Sequence, residues 1–492
     1  MRTEYPLTTF SIEVIPAPSV IIIFGATGDL TRRKLLPSLC QLLSNNLLHQ
    51  ETHIIACGRT AHTNDSFHSS IKDYLICTSE EKKCDLFKYI NYLRADPAEP
   101  QTFKDLSDRL EELGKLESSA PLNHLFYFAV PPDSTKSLIT ALSREGLLVE
   151  DENKGWRHLA LEKPFGTDLA SALALDQFLH RHVTENQIFR IDHYLAKETV
   201  QNILITRFAN RIFETTWDNQ AIDYIQISTS ETVGLEGRNT YFDKSGMLRD
   251  MIQNHLMEIL MLVAMEPPAS FEANAIHDAK FELAKAIRPF TQESIKTDIV
   301  RAQYSAAGEM RGYRREPGIP AESQTETFVA IKLLIDNPRW QGVPFYLQAG
   351  KRMPTTDSEI KIVFKPSSRP IYDSAKLAKT LAPNTLTLRI RPNEGICINL
   401  QAKLSGPKLA IGNLRFNTTY GEQSTNHGAP DAYARLLLDA MLHDHTLFVR
   451  SDTITESWKI FTPVLEAWQH QPEQYPLLTY PAGSDGPYFD NV

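Results

Sequence analysis

A predicted strand that runs directly into a glycine turn constrains the fold of this chain more than any other feature. The apolar run Val20–Phe24 is followed by Gly25-Ala-Thr-Gly28, and the next segment carries leucines at spacings of three and four residues. This pattern predicts a buried strand, a tight turn and an amphipathic helix. The glycines would let the backbone approach a pyrophosphate, whose charge the helix amides would meet. The turn lacks the third glycine of the full G-x-G-x-x-G motif, so a simple turn is the alternative to a dinucleotide-binding turn.

The chain as a whole predicts two domains of different type. Apolar runs typical of buried strands alternate with helical segments as far as about Asp192, the pattern of a parallel α/β fold of the Rossmann type. After about Thr199, strand patterns follow one another with few helices between the later ones, which indicates a mostly antiparallel sheet. Because 492 residues are too many for one core, we predict an α/β plus α+β protein. An N-terminal Rossmann-type dinucleotide-binding domain would span residues 1–192. A larger domain with a mostly antiparallel β-sheet flanked by helices would span residues 193–492.

Composition excludes several classes of protein. With 42% hydrophobic and 23% charged residues, the chain has the composition of an ordinary globular protein. Its net charge of -9 argues against nucleic-acid binding, which needs a basic face. No apolar run approaches the roughly 20 residues that span a bilayer, and residues 1–18 lack the apolar run of a signal peptide. We predict a cytoplasmic protein that binds neither nucleic acid nor membranes. The five cysteines, without C-x-x-C spacing, predict free thiols.

The residue that follows the second predicted strand indicates which dinucleotide binds. His53–Cys57 is followed by Gly58-Arg59-Thr60, at the point where an acidic residue would accept the ribose hydroxyls of NAD. An arginine there suits the 2′-phosphate of NADP instead. We predict NADP as the cofactor and Arg59 as the ligand of its 2′-phosphate. A solvent-facing arginine at a helix start, and the use of NAD, are the alternatives.

A cluster of charged residues predicts a second ligand, a sugar phosphate. The stretch Arg190-Ile-Asp-His-Tyr-Leu-Ala-Lys197 is accompanied later in the chain by Gln253-Asn-His255. His193 and Lys197 can hold a dianionic phosphate, and Tyr194 can donate a hydrogen bond to it. Asp192 is then left to orient a base. Its alternative role is that of a strand-end carboxylate that caps a helix.

These motifs, together with Glu162-Lys-Pro-Phe-Gly166 and Phe24-Gly-Ala-Thr-Gly-Asp-Leu-Thr31, closely resemble those of the glucose-6-phosphate dehydrogenase family. The resemblance runs from about Ser19 to about Trp468, with the motifs in the same order. It implies oxidation of D-glucose 6-phosphate at C1 to 6-phospho-D-glucono-1,5-lactone with hydride transfer to NADP, the first step of the oxidative pentose phosphate pathway. A dehydrogenase of a non-phosphorylated sugar and a non-catalytic NADP-binding sensor or assembly subunit are the alternatives.

The resemblance extends the set of cofactor-binding residues. It implies that the whole turn contributes, that Tyr127 borders the cofactor, and that Lys163 contacts both cofactor and sugar and precedes a cis-proline. From the residues alone, a buried aromatic side chain and an exposed lysine are the alternatives for Tyr127 and Lys163. The predicted cofactor-binding residues are Gly25, Ala26, Thr27, Gly28, Asp29, Leu30, Arg59, Tyr127 and Lys163.

His255 is predicted to be the general base. Oxidation of the C1 hydroxyl needs a group that takes its proton as hydride leaves C1, and a neutral imidazole suits this near pH 7. Asp192 would hold the imidazole tautomer and stabilise the imidazolium. Because apolar residues flank His255 at helical spacing, a core histidine is the alternative.

The resemblance also implies which residues bind the sugar. Glu231 and Asp250 match family residues that bind the sugar hydroxyls, and Lys351 matches a lysine that contacts the substrate; for Asp250 a salt bridge with Arg249 or Lys244 is the alternative. The chain departs from the family at Thr356, where a basic residue is common, and at Arg391, where glutamine is usual. Arg391 could replace the missing charge.

The resemblance implies no metal ion. Members of the family assemble as homodimers or homotetramers through the large sheet, so we predict a homo-oligomer. A broad sheet with one uncovered face would need such a partner.

Overall fold

The computed structural model describes residues 14–75, 86–116, 122–150, 155–367, 381–407, 410–420 and 431–487. The chain divides into two compact units. The first comprises Met1–Phe165, Ala174–Ala196 and Pro430–Arg450, and the second comprises Gly166–Leu173, Lys197–Ala429 and Ser451–Val492. The domain bounds predicted from the sequence, 1–192 and 193–492, stay a prediction.

The first unit is built on a sheet of seven strands among the described residues, with the order β15-β6-β5-β4-β1-β2-β3. The strands are β1 Ser19–Phe24, β2 His53–Gly58, β3 Ile90–Arg94, β4 Asn123–Phe128, β5 Arg157–Glu162, β6 Ile188–Ile191 and β15 Phe448–Val449. β1 to β6 pair in parallel. Their order is that of the doubly wound dinucleotide-binding fold, which confirms the predicted Rossmann-type fold.

Helices accompany these strands, and the strands at the centre of the sheet are buried. The π-helical turn Thr31–Leu35 precedes the α-helix Leu36–Ser44. Further helices of this unit are Asn64–Ile71, Pro100–Leu116, Pro132–Arg144 and Ala432–Met441, and 3₁₀ turns lie at Lys72–Tyr74 and Glu185–Gln187. The helix Leu169–His180 begins in the second unit and continues in the first. Every residue of β1 and of β4 is buried, as expected of parallel strands that are covered on both faces.

A segment from late in the chain completes the first unit. β15 pairs antiparallel with β6 through Phe448 and Ile191. The preceding helix, Ala432–Met441, is fixed by the buried His158, whose Nδ1 lies 2.7 Å from the carbonyl oxygen of Ala440. Since a carbonyl only accepts, Nδ1 of His158 carries the proton.

The second unit contains a sheet of nine strands among the described residues, with the order β14-β13-β12-β11-β7-β10-β9-β8-β16. The strands are β7 Ile222–Glu231, β8 Ile299–Ser305, β9 Phe328–Leu333, β10 Phe345–Lys351, β11 Asp357–Phe364, β12 Thr385–Arg391, β13 Gly395–Lys403, β14 Ile411–Thr419 and β16 Leu478–Pro481. Among the strands that the structure describes here, only the pairs β10–β7 and β16–β8 are parallel. The predicted mostly antiparallel sheet is therefore confirmed.

Burial in this second sheet alternates along the strands. In β7, buried residues recur at every second position from Ile225 to Thr229, as in a sheet with one face on the core. The helices of the unit are Glu198–Phe208, Arg211–Glu214, Asn239–Met247, Met257–Ala264, Ala273–Ala286, Gln292–Asp298 and Ser451–His470, with a π-helix at Leu248–Leu256 and a 3₁₀ turn at Tyr313–Arg315.

Two further predictions have structural outcomes. Among the described residues, no helix is long and apolar enough to cross a membrane. Cys57 and Cys397 are buried free thiols, as predicted. Cys40 is disulfide-bonded, so the prediction of a free thiol is wrong there.

Candidate active site

The turn after β1 has a geometry that only glycine allows at its first position. Gly25 has a φ of +87°, and a Cβ atom there would lie 2.2 Å from the carbonyl oxygen of Ala129. The amides of Gly25 and Ala26 both donate to the carbonyl oxygen of Cys57, at 3.0 Å. The Thr31 hydroxyl donates to the carbonyl oxygen of Gly25, also at 3.0 Å. The turn is therefore held against the ends of β2 and β4.

A cavity of about 610 Å³ opens beside this turn, within the first unit. Its volume is in the range of cofactor pockets. Arg59 lies at its wall with an exposed side chain. Among the residues that the structure describes, no side chain or carbonyl pairs with the Arg59 guanidinium, so its donors are available to an anion. The Arg59 carbonyl accepts a hydrogen bond from Nε of Arg94 at 2.9 Å, which fixes its backbone.

The predicted cofactor-binding residues divide into two groups by their position. Gly25, Thr27, Gly28 and Arg59 line the cavity. Ala26 is fully buried, Asp29 is exposed and forms an ion pair with Arg33, and Leu30 is half-buried. Tyr127 and Lys163 do not line this cavity either.

Tyr127 belongs to a buried pair that the sequence did not indicate. Its hydroxyl donates to Oε1 of Glu162 at 2.5 Å, across the neighbouring strands β4 and β5. Burial, and then the charge of Glu162, raises the pKa of Tyr127 well above its ordinary value. Burial likewise raises the pKa of Glu162 to about 7, although Tyr127 and Lys163 act in the opposite direction. Lys163 follows directly, and the peptide bond before Pro164 is cis, as the family resemblance implied.

The turn that follows β6 orders the residues predicted to bind phosphate. The carboxylate of Asp192, which is 3% exposed, accepts the backbone N–H of Tyr194 at 2.9 Å. This hydrogen bond to the residue two positions on forms an Asx turn. The His193 ring contacts the Tyr194 ring edge-on and stacks on Tyr433 with centroids 6.1 Å apart. Tyr433 lies in the late segment of the first unit, so no local pattern in the sequence indicated it.

In the second unit, Lys197 caps the helix Glu198–Phe208 at its N-terminus. Its side chain is half-buried. Its carbonyl oxygen accepts the amides of Val200 and Gln201. The position of Lys197 is therefore fixed by the first turn of this helix.

Asp250 and His255 lie on the π-helix Leu248–Leu256, whereas the spacing of apolar residues around His255 is that of an α-helix. The hydrogen-bond repeat of a π-helix is five residues, so the five-residue spacing places Asp250 and His255 on one face. His255 is 1% exposed, and Asp250 is half-buried. A π-helical segment of this kind is frequent at functional sites.

The start of this helix is set by a glycine and a buried carboxylate. Gly246 has a φ of +70°, and a Cβ atom there would lie 2.3 Å from Oε1 of Glu326. That oxygen accepts the N–H of Leu248 at 3.0 Å. The Glu326 carbonyl also accepts the N–H of Met247. Glu326 therefore determines where the helix that carries Asp250 and His255 begins.

The predicted sugar ligands Glu231 and Lys351 contact each other within the second unit. They lie opposite each other on the parallel strands β7 and β10, with Nζ of Lys351 2.6 Å from Oε2 of Glu231. Arg391 approaches the other oxygen, Oε1, at 3.2 Å. Burial alone would raise the pKa of Glu231, but the charges and hydrogen bonds of Lys351 and Arg391 lower it. Oγ1 of Thr356, the other departure from the family pattern, accepts the Thr232 N–H at 3.0 Å and lies 2.9 Å from the Thr232 hydroxyl oxygen.

Comparisons with known proteins extend over nearly the whole chain. Residues 22–202 match the family model described as glucose-6-phosphate dehydrogenase, NAD binding domain, and residues 204–491 match glucose-6-phosphate dehydrogenase, C-terminal domain. A glucose-6-phosphate 1-dehydrogenase of Chlamydia pneumoniae is 40% identical over 485 residues, covering 96% of this chain and 93% of the relative. That of Bacillus subtilis is 38% identical over 475 residues, covering 95% of each.

Solved structures agree with this assignment. A glucose-6-phosphate dehydrogenase in complex with its substrate glucose-6-phosphate is 32% identical, covers 97% of this chain and 96% of that chain, and has a TM-score of 0.89. The glucose-6-phosphate 1-dehydrogenase from Mycobacterium avium is 31% identical, covers 96% of each chain and has a TM-score of 0.80. By sequence along its length and by fold, this chain belongs to the glucose-6-phosphate dehydrogenase family.

Proposed function

We propose that this protein oxidises glucose 6-phosphate at C1 to 6-phosphogluconolactone with hydride transfer to NADP, in the cytoplasm, as the first step of the oxidative pentose phosphate pathway. The observation that carries the proposal is the 40% identity to a glucose-6-phosphate 1-dehydrogenase over 96% of the chain. The cavity at the glycine turn and the charged residues of the second unit supply the kinds of group that this reaction needs.

NADP is the proposed cofactor, and the first unit offers groups that fit it. The backbone at Gly25, Thr27 and Gly28 would hold the pyrophosphate, and the exposed guanidinium of Arg59 would pair with the 2′-phosphate. When bound, NADP accepts the hydride that leaves C1 of the sugar. Contributions from the other predicted residues remain part of the proposal: Ala26, Asp29, Leu30, Tyr127 and Lys163.

The predicted roles in substrate binding and catalysis are part of the same proposal. His193, Tyr194 and Lys197 would bind the phosphate group of the substrate. Ring hydroxyls would be bound by Glu231 and Asp250, with Lys163 and Lys351 as donors to the substrate. His255 would remove the C1 hydroxyl proton and Asp192 would fix its tautomer, the division of roles known from catalytic triads.

A second copy of this chain is the proposed partner of the β13–β14 hairpin, giving a homodimer or homotetramer. Leu400 pairs across the strands with Leu414, and Ile398 with Phe416. Leu400, Leu414 and Phe416 are 40%, 46% and 53% exposed, respectively, and β14 is the last strand at this edge of the sheet among the described residues. An apolar row at a sheet edge is stabilised when another chain covers it. Light scattering should give at least twice the 55.7 kDa chain mass, and Phe416→Glu should lower it to that of one chain; a monomeric wild type would contradict the proposal.

Initial rates of NADPH formation test the enzymatic proposal. Glucose 6-phosphate with NADP should be the preferred pair over glucose and over NAD. His255→Asn should lower kcat by about 10²- to 10⁴-fold with little change in KM. His277→Asn replaces another buried histidine of the second unit and serves as the matched control. Equal rates with glucose and glucose 6-phosphate would indicate a dehydrogenase of non-phosphorylated sugars, and an inert wild type that still binds NADP would indicate a sensor.

A further inference from the structure

The register of three strands places Arg391 in a row with two buried hydroxyl groups. Arg391 on β12 is opposite Ser358 on β11, which is opposite Thr229 on β7. The pairing of β11 with β12 shifts between Ser358 and Glu359, so that Arg389 and not Ile390 is the partner of Glu359. A register shift of this kind changes the direction in which a side chain projects. It brings the Arg391 guanidinium over the Ser358 and Thr229 hydroxyls.

Those hydroxyls anchor the guanidinium. Nε of Arg391 donates to Oγ of Ser358 at 2.9 Å, and Nη2 lies 3.2 Å from Oγ1 of Thr229. The two hydroxyl oxygens are themselves 2.6 Å apart, and both residues are at least 98% buried. A planar guanidinium held at two of its nitrogens has little rotational freedom. Arg391 therefore presents a fixed positive charge.

The anchored guanidinium and Lys351 hold Glu231 from both sides. Arg391 contacts Oε1 and Lys351 contacts Oε2. The backbone at Glu231 is fixed as well, because its carbonyl oxygen accepts the N–H of Met353 at 2.9 Å. The Glu231 side chain nevertheless remains 22% exposed. An ionised carboxylate offers about four lone-pair positions, so each oxygen keeps capacity for a ligand hydroxyl.

We propose that Arg391 is a positioning residue for substrate recognition: with Lys351 it fixes the Glu231 carboxylate as an oriented acceptor for hydroxyl groups of the sugar, rather than binding the substrate phosphate itself. The inference rests on the proposed function, because it takes the sugar phosphate as the ligand of Glu231. The anchoring of Nε and Nη2 on Ser358, Thr229 and Glu231 favours this role over phosphate binding. Arg391 thereby acts through Glu231, and its loss matters only while that carboxylate is present.

A double-mutant cycle tests this dependence. Arg391→Gln should raise KM for glucose 6-phosphate about tenfold, the effect of one charge-assisted hydrogen bond, with kcat changed less than about twofold. In a Glu231→Gln background the same change should alter KM by less than about twofold. Arg389→Gln, on the same strand but bonded to the Thr418 carbonyl, is the matched control and should leave KM unchanged. If Arg391→Gln does not fold, Arg391→Lys replaces it in the cycle, because it keeps the charge without the fork.

A pH profile gives an independent measurement. Arg391 lowers the pKa of Glu231, so the carboxylate stays ionised to lower pH when Arg391 is present. In Arg391→Gln the acid limb of kcat/KM should therefore move to higher pH, which a purely structural role would not cause. Additive effects in the cycle, an unmoved acid limb, or a KM equal to that of the wild type would overturn the inference alone. A wild type that is inactive on glucose 6-phosphate would overturn the proposed function and this inference with it.

Discussion

The two units present recognition groups in different ways. In the first, β1 and β4 are wholly buried, and most residues that line the cavity have small side chains or none, such as Gly25, Gly28 and Ala129. In the second, charged side chains on the strands themselves form the cluster Glu231, Lys351 and Arg391. In a parallel sheet that is covered on both faces, ligands can bind only at the ends of the strands. A sheet with alternating burial can also carry charged side chains along its strands. We therefore expect the first unit to contact its ligand mainly through backbone groups and the second unit mainly through charged side chains.

Gly25→Ala should have the largest effect. The added methyl group would lie 2.2 Å from the Ala129 carbonyl oxygen, at a φ of +87°. We expect NADP affinity to fall about 100-fold and the free energy of unfolding to fall by about 2–4 kcal/mol. Fluorescence titration and thermal unfolding measure these. Gly146→Ala, with a φ of +68° and no atom within 4 Å of its Cβ position, is the control for strain alone and should bind NADP normally. Normal NADP affinity in Gly25→Ala would contradict a backbone-mediated site.

Gly246→Ala makes the corresponding change in the second unit. The methyl group would displace Glu326 and with it the start of the helix that carries Asp250 and His255. We expect kcat/KM to fall about 10- to 100-fold, because small displacements of catalytic groups are costly, while NADP affinity changes less than about twofold. Gly237→Ala, with a φ of +83° and open space around it, is the matched control. Weaker NADP binding in Gly246→Ala would contradict the expectation that this change in the second unit leaves NADP binding intact.

Arg59→Gln should separate the two nicotinamide cofactors. Loss of a charge-assisted contact of about 1.5–3 kcal/mol should raise the Kd for NADP about 10- to 100-fold. The Kd for NAD, which has no 2′-phosphate, should be unchanged. Arg33→Gln is the control, since Arg33 is exposed, pairs with Asp29 and does not line the cavity. An equal loss of affinity for NADP and for NAD would show that Arg59 does not bind the 2′-phosphate.

Glu162→Gln should have the smallest effect at any single pH, and its effect should be visible as a change in the pH dependence of stability. The pKa of Glu162 rises from 4.5 to about 7 on folding, so the folded protein keeps a proton that the unfolded chain releases. The resulting stabilisation is complete below pH 4.5 and is lost as pH rises to about 7. Replacing the carboxyl by a neutral amide should flatten this fall by about 3 kcal/mol in urea unfolding, since each unit of pKa shift corresponds to about 1.4 kcal/mol. Glu112→Gln, which is exposed, should leave the profile as in the wild type; an unchanged slope in Glu162→Gln would contradict the raised pKa.

Local features of the fold and of the candidate site were predictable from the sequence. The turn at Gly25 follows from one apolar run and two glycines, because strand, turn and helix are neighbours in the chain. Lys351 was identified by the family resemblance, and its contact with Glu231 required the parallel register of β7 and β10. Arg391 was recognisable as a departure from the family pattern. Its partner was not, because a three-strand register with a shift decides which side chains meet.

Other features depend on contacts that no short pattern contains. β15 has two residues, too few for any periodicity, and it pairs with β6 more than 250 residues earlier. The spacing of apolar residues around His255 fits an α-helix, yet Leu248–Leu256 is π-helical, and its start is held by Glu326 on a distant segment. Likewise the sequence around Tyr127 predicts a core aromatic residue. In the structure, β5 places Glu162 beside its hydroxyl group. Tertiary contacts decide all three cases.

The return of residues 431–450 to the first unit affects how the dinucleotide-binding unit can be made. A fragment that stops near residue 192 would lack β15 and leave β6 as an unpaired border strand, together with an uncovered His158. Such a border invites association with other chains. During translation β15 becomes available only when nearly the whole polypeptide has emerged, so the seven-stranded sheet is completed late. A fusion or excised fragment of the unit would need residues 431–450 supplied by permutation or in trans.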